Sequence, residues 1–137
     1  MLILAATNKP WALDEPVTRP GRLGTHVYVG LPDAKAREGI LRYSMRSVPV
    51  ASDVPLVEFA AKTEGYSGAD IAAICECAKR AAVRRQLASG KDEEVTTADF
   101  AAGLEKVKPS VTPEQVKAYE RWRDTGEAPT GAASDDD

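Results

Sequence analysis

Gly65-Tyr66-Ser67-Gly68-Ala69-Asp70-Ile71 sets the reading of the whole chain. Ser67 followed three residues later by Asp70 is the spacing of a capping box, in which each side chain satisfies a backbone N–H at the start of a helix. The helix it opens is the longest the pattern allows, Gly68 to about Ala88, with a buried stripe at Ile71, Ile74, Cys75, Ala78 and Ala82 that extends to Leu87. Gly65 suits the residue just past a preceding helix, and Gly90 closes the long one.

Working toward the N-terminus, Leu56, Phe59, Ala60 and Thr63 share one face of a helix that stops at Gly65. Before it, Asp33 caps a helix through about Arg46 that buries Ile40, Leu41 and Met45 and is ended by Pro49. Toward the C-terminus, Thr96 and Asp99 repeat the box ahead of Phe100, Leu104 and Val107, with Pro109 as the stop. Thr112-Pro113-Glu114-Gln115 opens a fifth helix burying Val116, Tyr119 and Trp122. Residues 126–137 are Gly, Ala, Pro and Asp without periodicity and are expected to be a disordered acidic tail.

The first 32 residues have a different character. Leu2-Ile3-Leu4-Ala5-Ala6 is a continuous apolar run of the kind that forms a strand buried on both faces of a parallel sheet, and His26 to Leu31 alternates as a second strand. Between them, three prolines and two glycines in residues 8–24 leave room only for a short turn of helix around Ala12 to Val17. The expected fold is therefore an α/β remnant, residues 1–32, followed by an all-helical bundle, residues 33–125, and the tail, residues 126–137.

Composition narrows the function. Of 137 residues 43% are hydrophobic and 28% charged, ordinary values for a soluble globular protein, and no apolar run approaches the roughly 20 residues that span a bilayer. A net charge of −3 argues against a chain whose main work is neutralising nucleic-acid phosphates. Cys75 and Cys77, two apart with no further Cys or His beside them, read as reduced packing residues, and no metal site is expected. Lys79, Arg80, Arg84 and Arg85 read as a solvated basic face.

The residues that suggest chemistry lie between the two apolar segments. Ala6-Thr7-Asn8 puts a polar amide at the carboxyl end of a parallel strand, where such sheets bind ligands. Arg19-Pro20-Gly21-Arg22 presents two guanidinium forks from one rigid turn, a suitable arrangement for sensing phosphate.

Ala-Thr-Asn, Leu13-Asp14 and Arg-Pro-Gly-Arg, in this order and spacing, resemble the second region of homology of AAA ATPases. The resemblance continues through Leu31-Pro32-Asp33, Ile40-Leu41 and the Gly68-Ala69-Asp70 signature, covers residues 2 to about 125, and is most similar to the second ATPase module of the valosin-containing subfamily and its archaeal and bacterial relatives. It implies two strands from the end of a P-loop NTPase-type sheet followed by a small helical lid. It implies catalytic roles for Asn8 as sensor 1 and for Arg19 and Arg22 as arginine fingers acting on a neighbouring subunit's nucleotide. Gly68 and Ala69, with Ile40 and Ser44, match residues lining the base pocket for ATP or ADP. Relatives often carry His or Asn in place of Ser44, and usually Asp in place of Gly24. The implied partners are neighbouring AAA subunits in a homo- or hetero-hexamer and a protein substrate, with no nucleic acid and no membrane, in the cytoplasm.

The phosphate-gripping half of such a site is not in this sequence. A Walker A loop needs Gly-x-x-x-x-Gly-Lys-Ser/Thr, whereas the only Gly-Lys here is Gly90-Lys91, followed by Asp92. Trp11 to Glu15 ends in Leu-Asp-Glu but follows the sensor Asn, the wrong order for a Walker B strand. Magnesium would be held by the missing part of the module, and this chain alone is not expected to hydrolyse ATP. The expectation is the C-terminal portion of an AAA ATPase that couples hydrolysis to protein remodelling. The alternative is a non-catalytic helical binding or regulatory module that has lost the Walker half.

Overall fold

The computed structural model of the protein describes residues 1–130. Among them stand a 3₁₀ turn at Pro10–Ala12 and the helices α1 (Glu15–Thr18), α2 (Ala34–Met45), α3 (Leu56–Lys62), α4 (Gly68–Ser89), α5 (Thr97–Lys106) and α6 (Pro113–Thr125). They fall into two units: Leu31–Thr112, and Met1–Gly30 together with the described residues from Pro113 on.

In the Leu31–Thr112 unit, α4 is the spine. Its capping box forms as expected, Ser67 Oγ accepting from the Asp70 amide at 3.2 Å and Asp70 Oδ2 from the Ser67 amide at 2.9 Å. Gly90, at φ +67°, ends the helix in a left-handed conformation that costs little without a Cβ. Ile71, Ile74, Cys75, Ala78 and Ala82 are buried, but Leu87 is 81% exposed. The helical period explains the correction: continuing the stripe by 3.6 residues per turn from Ala82 brings position 85 or 86 to the core side and turns position 87 away.

α2 and α5 pack on α4, and α3 packs on α2. Asp33 Oδ1 accepts from the Ala36 amide at 2.7 Å to start α2, which buries Leu41 and Met45 and half-buries Ile40. Phe59 and Ala60 of α3 are buried, and the Thr63 hydroxyl satisfies itself on the carbonyls of Phe59 and Ala60 at 2.9 and 3.1 Å. Phe59 meets Phe100 of α5 with ring centroids 5.2 Å apart. Close packing of α5 on α4 depends on Gly103, because a Cβ there would lie 2.9 Å from the Ile74 carbonyl oxygen. Val95 is buried and forms an isolated parallel bridge with Val50, the Ala51 amide donating to Val95 O and the Val95 amide to Pro49 O.

The other unit differs from the expected α/β remnant. Among the described residues neither 2–6 nor 26–31 is a strand; Leu2 and Leu4 are each 90% exposed and Val29 is 87% exposed. A strand is a pairing rather than a property of one segment, and no described segment offers these two a ladder. The expected short helical turn does form, as the 3₁₀ turn and α1. Val116, Tyr119 and Trp122 of α6 are half-buried, with the Tyr119 ring tilted at 39° to that of Trp11 and the centroids 5.1 Å apart. Residues 126–130 follow α6 without helix, and the rest of the expected disordered tail, including Asp135 to Asp137, lies outside the described residues. Among the described residues no helix is long and apolar enough to cross a membrane.

Candidate functional site

The candidate residues fall into two groups, one in each unit. In the first, Arg19 and Arg22 share a turn, with Gly21 at φ +90° and the Arg22 amide donating to Arg19 O at 3.1 Å. The left-handed Gly21 is what lets the chain reverse directly after Pro20. Arg22 Nη1 donates to Pro16 O at 3.1 Å, which aims its side chain back along α1. Arg19 Nη2 reaches Glu15 Oε1 at 3.3 Å across an exposed i,i+4 pair, an interaction of about 0.2–1 kcal/mol that an incoming anion can displace. Gly24 lies against the same turn: a Cβ there would sit 3.0 Å from Pro20 Cα and 3.2 Å from Arg19 O. The lack of a side chain at Gly24 therefore has a structural consequence, a tighter backbone approach behind the two arginines.

Asn8 is exposed, and its carbonyl accepts a hydrogen bond from the Tyr119 hydroxyl. The Lys9 amide donates to Thr7 Oγ1 at 3.0 Å, bending the chain at Asn8. Among the described residues no hydrogen bond or ion pair joins Asn8 to Arg19 or Arg22.

The second group is brought together by α2 and the start of α4. The Ile40 side chain is the sole neighbour a Cβ on Gly68 would meet, its Cδ1 3.6 Å away. Ala69 beside it is exposed. Ser44, one turn further along α2, faces the Cys75 thiol. Burial pushes that thiol up to about 11, while the Ser44 hydroxyl and the Lys79 ammonium pull the other way. Ile40, Gly68 and Ala69 are uncharged, and α4 starts at Gly68 without side-chain bulk. Among the described residues no group of three His, Cys, Asp or Glu side chains is placed to hold a metal ion.

Sequence reading missed the polar ties that hold this unit in shape. Arg37 is buried, with Nε donating to Ala60 O at 2.7 Å and Nη1 to Pro32 O at 2.8 Å, so it fixes α2 against the end of α3. Arg85, read as part of a solvated face, instead grips Asp99 with both terminal nitrogens and donates to Glu94 O at 2.8 Å. Burial works to raise the Asp99 carboxyl, but bonds from Arg85 and Thr96 hold it below the usual carboxylate range. Asp70, whose capping role was legible, also accepts from Ser110, far along the chain. The signal for Arg85 was available: its position falls on the buried stripe of α4 where Leu87 does not.

Known proteins resemble this chain in sequence and in structure. Residues 53–101 match the AAA+ lid domain, and residues 87–126 match the Vps4 C terminal oligomerisation domain. The chain is 42% identical over 131 residues to a cell division cycle protein 48 homolog of Archaeoglobus fulgidus, an alignment covering 88% of the chain and 18% of that protein. It is 43% identical over 134 residues to a katanin p60 ATPase-containing subunit of Danio rerio, the A-like 1 form, covering 89% of the chain and 27% of the relative. A solved structure described as "Structural Basis for Katanin Self-Assembly" superposes with a TM-score of 0.73 at 32% identity, over 85% of this chain and 44% of that one. The chain thus spans between a sixth and a third of the length of these curated relatives.

Proposed function

We propose, for a chain that belongs to the AAA ATPase family through its lid domain and Vps4-type C-terminal region, that it serves a hexameric ATPase as nucleotide lid and as donor of arginines to a neighbouring subunit. Hydrolysis of bound ATP supplies the free energy, and the groups that grip its phosphates and magnesium are not in this sequence. The residues of this chain bind and orient. Ile40, Gly68 and Ala69 hold the base, with Ser44 behind them turned toward Cys75. Asn8, as sensor 1, positions a polar amide at the γ-phosphate of the same subunit. Arg19 and Arg22 place positive charge where negative charge develops on the neighbour's nucleotide, a contribution of about 10³ to 10⁵ in rate for such fingers elsewhere. The reading extends to remodelling of a protein substrate by the assembled ring, in the cytoplasm. Domain limits of 1–32 for the sensor and finger segment, 33–125 for the lid and 126–137 for the tail belong to the same proposal.

The observation that carries the reading is the apposition of Ile40 to the side-chain-free start of α4 at Gly68, inside a chain whose residues 53–101 match the lid domain. Its test is a subunit-mixing experiment in the full-length hexamer. Arg19→Ala subunits and subunits disabled in the phosphate-binding loop are each inactive alone, and a mixture regains hydrolysis at interfaces that pair an intact finger with an intact loop. Unchanged hydrolysis by Arg19→Ala alone, or a mixture that stays inactive, overturns the trans assignment.

A second reading, a non-catalytic module that associates with intact homologues, is favoured by the match of residues 87–126 to the oligomerisation domain. It requires the isolated chain to bind such a homologue and alter its ATPase rate; a chain that does neither is no such module.

A further inference from the structure

Asp70 makes two sets of bonds at once. Its Oδ2 closes the capping box on the Ser67 amide at 2.9 Å and also accepts from the amide and the hydroxyl of Ser110, each at 3.0 Å. Three donors therefore converge on one oxygen of a carboxylate that is 8% exposed. A capping box needs only the first of them. A second tie lies alongside: the Tyr66 hydroxyl donates to Val107 O at 3.2 Å. The two residues that flank Ser67–Ala69 are thus bonded to two points of the segment 107–112, which joins α5 to α6 and lies inside the stretch matched to the oligomerisation domain.

We infer that Asp70 is a positioning residue that couples the first turn of α4, at Gly68 and Ala69, to the 107–112 segment, so that a ligand resting on that turn is felt in the segment leading to α6. This inference rests on the base-binding reading given above. The coupling is mechanical. The carboxylate is anchored to α4 by its own backbone and by Ser67, so a shift of the first turn carries Oδ2 with it. The Ser110 bonds must follow or lengthen, and hydrogen bonds weaken steeply as distance and angle depart from their optimum. The Tyr66 bond makes this a two-point attachment, which moves the segment as a piece instead of letting it pivot about Ser110.

The test titrates adenosine monophosphate into the 137-residue chain and follows backbone amide resonances. This probe carries the base without needing a triphosphate grip. In the wild type the amides of Gly68 and Ala69 shift, and those of Ser110 and Val111 shift with them along the same saturation curve. In the double variant Tyr66→Phe, Ser110→Ala, which leaves Asp70 and the α4 cap in place, the Gly68 and Ala69 shifts persist while those at residues 110 and 111 are lost. Shifts at Gly68 and Ala69 with none at Ser110 in the wild type, or an unchanged Ser110 response in the double variant, overturn the coupling and leave the base reading standing. Absence of any shift at Gly68 and Ala69 up to saturating probe overturns the base reading itself, and the coupling with it. Asp70→Asn, which keeps an oxygen acceptor but removes the charge, gives a second measure: the Ser110 amide response falls relative to that at Ala69, and an undiminished ratio counts against the role of the carboxylate.

Discussion

Replacing Gly103 by alanine is a stringent check on how the lid is packed. Gly103 is buried on α5, and the added methyl would stand 2.9 Å from the Ile74 carbonyl oxygen, 3.2 Å from Ile74 Cγ2 and 3.4 Å from Cys77 Cβ. Ordinary contact begins near 3.4 Å, so α5 must retreat from α4 by about 0.5 Å at this point. The obstructing atom is a helix carbonyl that cannot rotate aside, which places the overpacking cost toward the upper part of the usual range, about 2–3 kcal/mol. Alanine returns about 1 kcal/mol through helix propensity. The net expectation is a destabilisation of about 1–2 kcal/mol.

Gly39 supplies the internal control. It lies exposed on α2 with nothing within 4 Å of where a Cβ would stand, so Gly39→Ala collects the propensity gain without the clash and stabilises by up to about 1 kcal/mol. Urea unfolding followed by far-UV circular dichroism reads both. Tryptophan fluorescence would not, since Trp11 and Trp122 belong to the other unit. With urea m-values of about 1–3 kcal/mol/M, the two midpoints move in opposite directions by up to about 1 M. A Gly103→Ala protein as stable as Gly39→Ala would show that α4 and α5 do not approach this closely.

Three further outcomes follow from the same structure. The Asp70 and Asp99 carboxyls are both held below the usual range in the fold, so their contribution to stability is complete above about pH 4 and is lost as pH falls through their folded values. Arg85→Ala therefore destabilises the lid at pH 7, and its deficit against wild type narrows as pH falls through the lowered folded value of Asp99; a deficit that stays constant down to the acid limit of the fold, read by thermal melts, removes the bidentate pair from the account. Cys75, with its thiol near 11 instead of 9, carries about 10²-fold less thiolate at pH 8 than an ordinary cysteine, so iodoacetamide modifies the half-buried Cys77 first and Cys75 only on unfolding; equal rates at the two positions by mass spectrometry contradict this burial. Arg19→Ala in the full-length hexamer lowers kcat by about 10³-fold or more with KM little changed, as a group acting only on developing charge should.

The helical unit was legible because its signals are local. Capping boxes at Ser67 and Thr96, the Asp33 cap, and left-handed glycines at positions 65 and 90 act within a few residues of one another, and each stands where the sequence put it. Leu87 shows where hydrophobicity alone misleads. It extends an apolar pattern by composition but is out of phase with the stripe, and the phase belongs to Arg85, whose charge hid its place at the α4 and α5 contact. The links from Arg37 to Ala60, Tyr66 to Val107 and Asp70 to Ser110 span 23, 41 and 40 residues, and no local rule announces them. The turn carrying Arg19 and Arg22 was legible as a turn from Pro20-Gly21; the close approach of Gly24 was not, because it depends on how the chain returns after the turn.

The two expected strands fail for a reason that bears on function. In the helical unit, polar groups close on one another: among the described residues no buried side-chain nitrogen or oxygen lacks a hydrogen-bond partner. Leu2, Ile3, Leu4, Val27 and Val29 are the opposite case, apolar yet exposed. A sequence with that pattern gains its stability only when a neighbouring strand supplies the ladder and a second layer covers the side chains. Asn8 follows directly on the first of these segments, and Arg19 and Arg22 lie between them. On the proposed reading, their working positions depend on the pairing that would bury those apolar residues, whereas Ile40, Gly68 and Ala69 owe theirs to contacts within the helical unit. On the proposed reading, it follows that the base-binding role of Ile40, Gly68 and Ala69 can be assayed on this chain alone, while the roles proposed for Asn8, Arg19 and Arg22 need a sheet that receives the two segments.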